Sequence, residues 1–221
     1  IVIDGFSGGD IRSLTQDDIK SIDILKDGSA GAIYGTRAAS GVILITTKSG
    51  SDTNGKVKLT YSNEFTKKQG YNAPEMLSGR EYADYEIGTD YGQDTDWWDE
   101  LLNHGNFSQK HHLALEFGTE KAQVYTSFFY EKNQGVAKQD GRQDYGGRVN
   151  ANFKLFDDWL EIHPSVDYRQ AARNNHFPNF QQAMRNNPTR SPYDPENETG
   201  YNVWLNESLD YNVVADAMLE D

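Results

Sequence analysis

The sequence of 221 residues contains no cysteine, which excludes disulfides and thiolate metal sites and leaves the cellular compartment open. It has no apolar run of about 18 residues or more, so no transmembrane helix is expected. Basic residues are scarce, and a formal net charge of -13 disfavours nucleic acid as a partner because its phosphates would be repelled. No G-x-S-x-G, H-E-x-x-H or Walker A motif occurs, so we expect neither an enzyme nor a cofactor.

The first part of the chain, residues 1–50, predicts a small α+β unit. Its apolar runs indicate strands, and Thr15 is suited to the N-cap of a short helix whose first turn holds two carboxylates. The predicted elements are a strand at 1–3, a helix at 15–21, a strand at 22–25, a helical turn at 30–34 and a strand at 41–47. The pattern alone allows an ordinary α+β fragment.

After a polar, turn-rich stretch at 49–55, apolar and polar residues alternate in several segments. The predicted strands are 57–65, 111–117, 145–155 and 160–169, with a further strand at 124–130. In the first of them, Val57, Leu59 and Tyr61 share one face. A transmembrane barrel and a half-buried soluble sheet both produce this alternation, so the pattern leaves the two open.

Long and short connections alternate between these strands. The long ones are 67–106, 131–141 and the segment after 171, and the short ones are 118–121 and 156–158. Outer-membrane barrels have short periplasmic turns and long extracellular loops, so this order favours a barrel. In the first long loop, Ser78 and Glu81 have the spacing of a capping box for a helix over 79–87.

The same loop carries acidic residues around Trp97-Trp98, namely Asp90, Asp94, Asp96 and Asp99. Oxygen-rich loops of this kind can hold Ca²⁺, but the spacing is not that of an EF-hand, and we favour a solvated acidic loop. His111 and His112 are neighbours on a strand and point to opposite faces, so they cannot share a metal ion. We therefore predict no metal site.

Five aromatic residues in the long loops are candidates for substrate contact. Flat rings with nearby amides suit sugar rings or peptides, although the same rings could pack the loops together or against a partner. The candidates are Trp97, Trp98, Tyr193, Tyr201 and Trp204.

The run IDILKDGSAGAIYGTRAASGVILITTK, at 22–48, closely resembles the end of the plug domain in SusC/RagA-type TonB-dependent outer-membrane transporters. The resemblance continues through DTDWWDELL at 94–102, FSQKHHLALEFGTEKAQVYTSFFYEKNQGV at 107–136 and YGGRVNANFKLFDDWLEI at 145–162. It implies an α+β plug segment followed by antiparallel strands of a transmembrane β-barrel. Residues 1–50 correspond to the C-terminal half of the plug, and residues 51–221 to the N-terminal part of the barrel with its extracellular loops.

The resemblance also implies a function and partners. Such a transporter imports oligosaccharides or peptides across the outer membrane of a Gram-negative cell, and is surrounded by outer-membrane lipid. A SusD-like surface lipoprotein covers it, and TonB pulls on a plug segment that this sequence does not contain. Because the chain opens at Ile1 without a signal region, we expect it to be a fragment of the full barrel.

A plug inside a barrel needs a polar, displaceable interface. Candidates on the plug are Lys26 and Arg37, and candidates on the barrel strands are Arg148, Lys154, Glu161, Asp167 and Arg169. Two other functions stay open: a TonB-dependent receptor for a siderophore or cobalamin, and a soluble glycan-binding β-protein or glycosidase domain.

Overall fold

The computed structural model describes residues 1–8, 10–26, 41–174, 176–204 and 211–219. The helical turn predicted at 30–34 and the candidate Arg37 lie outside the described residues. The described part is a mixed α/β structure with two sheets and a few short helices.

A four-stranded sheet, which we call the N-terminal sheet, has the strand order β2-β1-β4-β3. Its strands are β1 (Val2–Ile3), β2 (Phe6–Ser7), β3 (Ile19–Leu25) and β4 (Val42–Thr47). β1 runs parallel to β4 with Ile3 opposite Ile45, and β3 runs antiparallel to β4. Val2 and Val42 form a small buried cluster on one face.

The helix predicted at 15–21 is shorter in the structure than the sequence indicates. Two single-turn 3-10 helices, Ile11–Ser13 and Gln16–Asp18, precede β3, which already begins at Ile19. Thr15 occupies the N-cap position, but its hydroxyl donates to the Asp18 carboxylate instead of capping the helix.

A six-stranded sheet, which we call the large sheet, has the order β10-β8-β7-β6-β5, with β9 paired to β8. Its strands are β5 (Lys58–Thr66), β6 (Ser108–Gly118), β7 (Ala122–Gln134), β8 (Gly141–Leu155), β9 (Leu160–Ile162) and β10 (Ser165–Asn174). The strand predicted at 160–169 is interrupted between β9 and β10, because Pro164 has no N–H to donate to a strand ladder. Its carbonyl instead accepts from the Ala151 N–H at 3.0 Å.

Four short helices lie in the connections: α1 (Gly79–Asp84), α2 (Trp97–Glu100), α3 (Phe180–Ala183) and α4 (Val213–Leu219). The capping box of α1 is confirmed, because Ser78 and Glu81 each accept the backbone N–H of the other. α1 ends at Asp84 rather than at 87, since Glu86 adopts a left-handed φ of 52°. Within the described ranges, every helix is too short or too polar to cross a membrane.

The chain divides into two compact units. The first comprises Ile1–Glu64, Lys110–Glu131 and Asp144–Ala171, and the second comprises Phe65–Gln109, Lys132–Gln143 and Ala172–Asp221. The second unit has a hydrophobic core formed by Trp97, Leu101, Ala183, Val213, Val214 and Ala217.

In the first unit, the large sheet has the opposite polarity to that of an ordinary soluble sheet. Apolar side chains on one face are exposed, with Leu59 at 62% and Val149 at 47%. Polar side chains on the other face are buried, with His112 at 3% and Arg148 at 5%. The buried polar face contacts the N-terminal sheet and the turns that precede it.

Candidate functional site

The candidate site is the set of polar contacts between the large sheet and the N-terminal segment, and it has three parts. The first is the buried carboxylate of Asp18, at the end of the second 3-10 helix. Its Oδ2 accepts from the Thr15 hydroxyl at 2.6 Å. Its Oδ1 accepts from the Tyr125 hydroxyl at 2.7 Å and from His112 Nε2 at 3.0 Å. Burial raises the pKa of this carboxyl, but the hydrogen bonds from His112, Thr15 and Tyr125 outweigh burial and hold the pKa well below its usual range.

The second part of the site joins the turn after β1 to the middle of β8. Asp4 accepts from the Thr47 backbone N–H at 2.8 Å and from the Thr47 hydroxyl at 2.7 Å. Arg148 Nη1 lies 3.3 Å from the Thr47 hydroxyl oxygen and 3.5 Å from Asp4 Oδ2. Asn150 Nδ2 donates to the same hydroxyl oxygen at 2.9 Å and to the Lys48 carbonyl at 2.7 Å. Thr47 is therefore the centre of a network that links both sheets.

The third part is the guanidinium of Arg169 on β10. Its Nη2 donates to Asp144 Oδ2 at 2.9 Å, and its Nη1 donates to the carbonyl oxygens of Arg12 and Leu14. The arginine thus fixes the turn that carries the first 3-10 helix against the large sheet. Together, the three parts form an interface held by charge-assisted hydrogen bonds, which are stronger than neutral ones.

The contacts of the other predicted interface residues are as follows. Asp167 Oδ1 lies 3.5 Å from Arg148 Nη2, within the large sheet. Glu161 is exposed and lies 3.7 Å from Lys154 and 3.5 Å from His163. Lys26 is exposed at the end of a described range.

In the second unit, three of the five aromatic candidates contribute to the core. Trp97 is 1% exposed, and its indole N–H donates to the Asn187 carbonyl at 2.9 Å. The Trp204 ring meets it edge to face at 6.0 Å, and Tyr201 packs on the same cluster. The Trp98 ring lies 4.6 Å from that of Phe180. These four rings pack within their own unit.

Tyr193 is the most exposed of the five aromatic candidates. Its ring lies 5.8 Å from that of Tyr201, and its hydroxyl donates to Glu100 Oε2 at 2.5 Å. Partial burial and the Glu100 carboxylate raise the pKa of the Tyr193 phenol above its usual range, so the group stays a neutral donor.

The carboxylates of the acidic loop each bind a different partner. Asp90, Asp94 and Asp96 each accept a backbone N–H, and Asp99 lies 2.9 Å from His104 Nε2. Among the described residues, no three His, Cys, Asp or Glu side chains come together as a potential metal site.

Comparisons with known proteins show which receptors this chain is similar to. TonB-dependent receptor P26 of Formosa agariphila is 32% identical over 213 residues, which is 88% of this chain and 21% of that receptor. TonB-dependent receptor SusC of Bacteroides thetaiotaomicron is 29% identical over 220 residues, covering 92% of this chain and 21% of SusC. The chain is related to the SusC-type TonB-dependent receptors. It spans about a fifth of the length of these two relatives.

The fold of this SusC relative agrees with the sequence comparison. A chain in a solved structure titled "Structure of the RagAB peptide transporter" superposes with a TM-score of 0.62 at 21% identity. The match covers 81% of the present chain and 25% of that chain. No protein-family model matches the chain.

Several residues of the buried interface in this SusC relative are not recognisable as interface residues from the sequence alone. The position of Asp18 in the first turn of a predicted helix indicates only a favourable interaction with the helix dipole, and no sequence signal marks Asp4 or Tyr125. The alternation of β6 and β8 already placed His112 and Asn150 on the polar faces, and that was the available signal.

Proposed function

We propose that this chain is part of a TonB-dependent transporter that imports oligosaccharides or peptides across the outer membrane. Residues 1–50 serve as the latter half of its plug, and residues 51–221 as the first strands and loops of its barrel. The observation that carries the proposal is the polarity of the large sheet, whose apolar face is exposed and whose polar face is buried.

This polarity is expected for a sheet with lipid on one side and a hydrated interior on the other. A half-buried soluble sheet turns its apolar face to the core and its polar face to water. Val149 is nearly half exposed while Arg148 next to it is buried, which is the reverse of the soluble arrangement. The soluble glycan-binding alternative is therefore disfavoured.

The interface around Asp18 and Thr47 suits a plug that must move. It is made of hydrogen bonds, and each bond broken in the protein can be replaced by one to water. The net contribution of each bond to the stability of the interface is therefore modest. In the proposed cycle, a SusD-like lipoprotein holds the substrate over the barrel, and TonB pulls the plug to open a path. The similarity to SusC supports this cycle over import of a siderophore or cobalamin.

A disulfide between the two sheets tests the cycle. Thr47 Oγ1 and Asn150 Nδ2 are 2.9 Å apart, and these 221 residues contain no cysteine that would compete. In the full-length protein, the Thr47→Cys/Asn150→Cys pair should abolish uptake of labelled oligosaccharide or peptide when oxidised, and a reductant should restore it.

The single variants Thr47→Cys and Asn150→Cys are the matched controls and should import under both conditions. Deletion of TonB should abolish uptake by all variants. Uptake at the native rate by the fully oxidised pair, or in cells without TonB, would contradict the proposed function.

A further inference from the structure

A polar cavity of about 570 Å³ lies in the second unit, lined by the ends of β7, β8 and β10 and by the turn between β7 and β8. Six carboxamide side chains and three cations line it, against a single carboxylate, Asp140. Its described lining contains no aromatic ring, and Met218 is the largest apolar side chain there. It is separate from Tyr193 and the aromatic cluster.

Two carboxamides of the cavity are fixed so that they offer donors. The Gln134 side-chain oxygen accepts from the Phe107 backbone N–H at 2.9 Å. The Asn133 side-chain oxygen accepts from the Lys68 ammonium. Within the described ranges, the NH₂ groups of Asn133 and Gln134 donate to no protein atom. A ligand in this cavity therefore meets amide donors whose acceptor oxygens are already occupied.

The charges in the cavity also favour a ligand that accepts hydrogen bonds, and in particular an anion. Lys132, Arg142 and Arg173 line it, and among the described residues neither Lys132 nor Arg173 forms an ion pair. With Asp140 as the only carboxylate of the described lining, the formal charge of that lining is +2, whereas the whole chain carries -13. A positive concavity in an acidic protein attracts and retains anions.

We propose that this cavity binds an anionic oligosaccharide, through the carboxylate of a uronic acid or through a sulfate ester. The proposal rests on the proposed transport function and names the substrate class. Guanidinium and ammonium groups bind the anionic group, and the amide donors bind ring and hydroxyl oxygens. Among the lining side chains only Ala172 and Met218 are apolar, so the amides and cations suit a polar, anionic ligand better than an apolar peptide side chain.

The test is calorimetric titration of the full-length protein in detergent with three tetrasaccharides: tetragalacturonate, a sulfated galactan tetrasaccharide and neutral maltotetraose. At least one anionic probe should bind about tenfold more tightly than maltotetraose, and added salt should weaken it. The probe that binds distinguishes a carboxylate from a sulfate ester. Equal affinity for maltotetraose, or no binding of either anionic probe, would overturn the proposal.

Variants locate the binding in the cavity. Arg173→Gln and Lys132→Gln should each weaken the anionic probe about fivefold or more, while Lys132→Arg retains binding. Arg80→Gln is the matched control, since Arg80 is an exposed cation on α1 of the same unit. If Arg80→Gln weakened binding of the anionic probe as much as Arg173→Gln does, the assignment of binding to this cavity would be contradicted. TonB is absent from this assay, so the cavity proposal and the transport proposal can fail separately.

Discussion

Replacing Asp18 by alanine tests whether the buried carboxylate fastens the N-terminal sheet to the large sheet. The substitution removes the acceptor of three hydrogen bonds, from Thr15, His112 and Tyr125. Two of the donors come from the large sheet, so their loss weakens the attachment of the whole N-terminal segment. The three donors would also remain buried with no acceptor.

The magnitude follows from these contacts. Hydrogen bonds to a charged group contribute about 1.5–3 kcal/mol each, and they are not additive because they share one carboxylate. Removing one partner of a buried charged group costs about 3–5 kcal/mol. We therefore expect the free energy of opening of the N-terminal sheet to fall by about 3–5 kcal/mol, which is about two to four orders of magnitude in the opening equilibrium.

Hydrogen exchange of the full-length protein, followed by mass spectrometry of peptides from 1–26 and 41–48, measures this opening. Asp23→Ala is the matched control, because Asp23 is an exposed carboxylate on β3 of the same sheet and should change opening by no more than about 0.5 kcal/mol. Faster exchange in both variants alike, or in neither, would refute the role given to Asp18.

Three further predictions concern the exposed apolar face, the pH dependence of the Asp18 contact and the core of the second unit. Val149→Arg should destabilise the protein in lipid vesicles by about 2–4 kcal/mol if the exposed face meets lipid, whereas a water-exposed position would change by no more than about 0.5 kcal/mol in urea unfolding. The folded-state pKa of Asp18 lies below its unfolded value of about 3.9, so its stabilisation is complete above that pH and is lost as pH falls through the folded pKa. The difference in hydrogen exchange between native protein and Asp18→Asn should thus be constant from about pH 7 to 5 and shrink only below about pH 4. Trp97→Ala should cost the second unit about 3–5 kcal/mol, seen as faster exchange in α2 and α4, while Tyr71→Ala at an exposed position should not.

Local features of this chain were predictable from sequence. The capping box at Ser78 and Glu81 was found at its predicted position because it depends on residues three apart. The strands now seen as β5 and β8 followed from alternation, which reports directly on which face each side chain occupies. The interruption at Pro164 does not follow from the alternation, because apolar and polar residues alternate on both sides of the proline; only its missing N–H indicates the break.

Arg148 and Arg169 were predictable as interface residues, but the pairing of residues across the buried interface was not, because the partners are far apart along the chain. His112 and Tyr125 lie 94 and 107 residues from Asp18, and a single sequence does not show which donors meet this carboxylate. The aromatic residues were ambiguous for a related reason. An indole such as Trp97 suits a core and a sugar site equally well, and only the positions of α3 and α4 show that it is covered.

The chemistry of the fastening at Asp18 and Thr47 has a mechanical consequence. Hydrogen bonds weaken steeply over a fraction of an ångström, whereas apolar contacts yield gradually as surface is exposed. A segment held this way resists a small pull with little extension and then separates abruptly once a few bonds break together. Water entering behind it replaces the lost partners, so the separated segment gains little by returning until the tension ends.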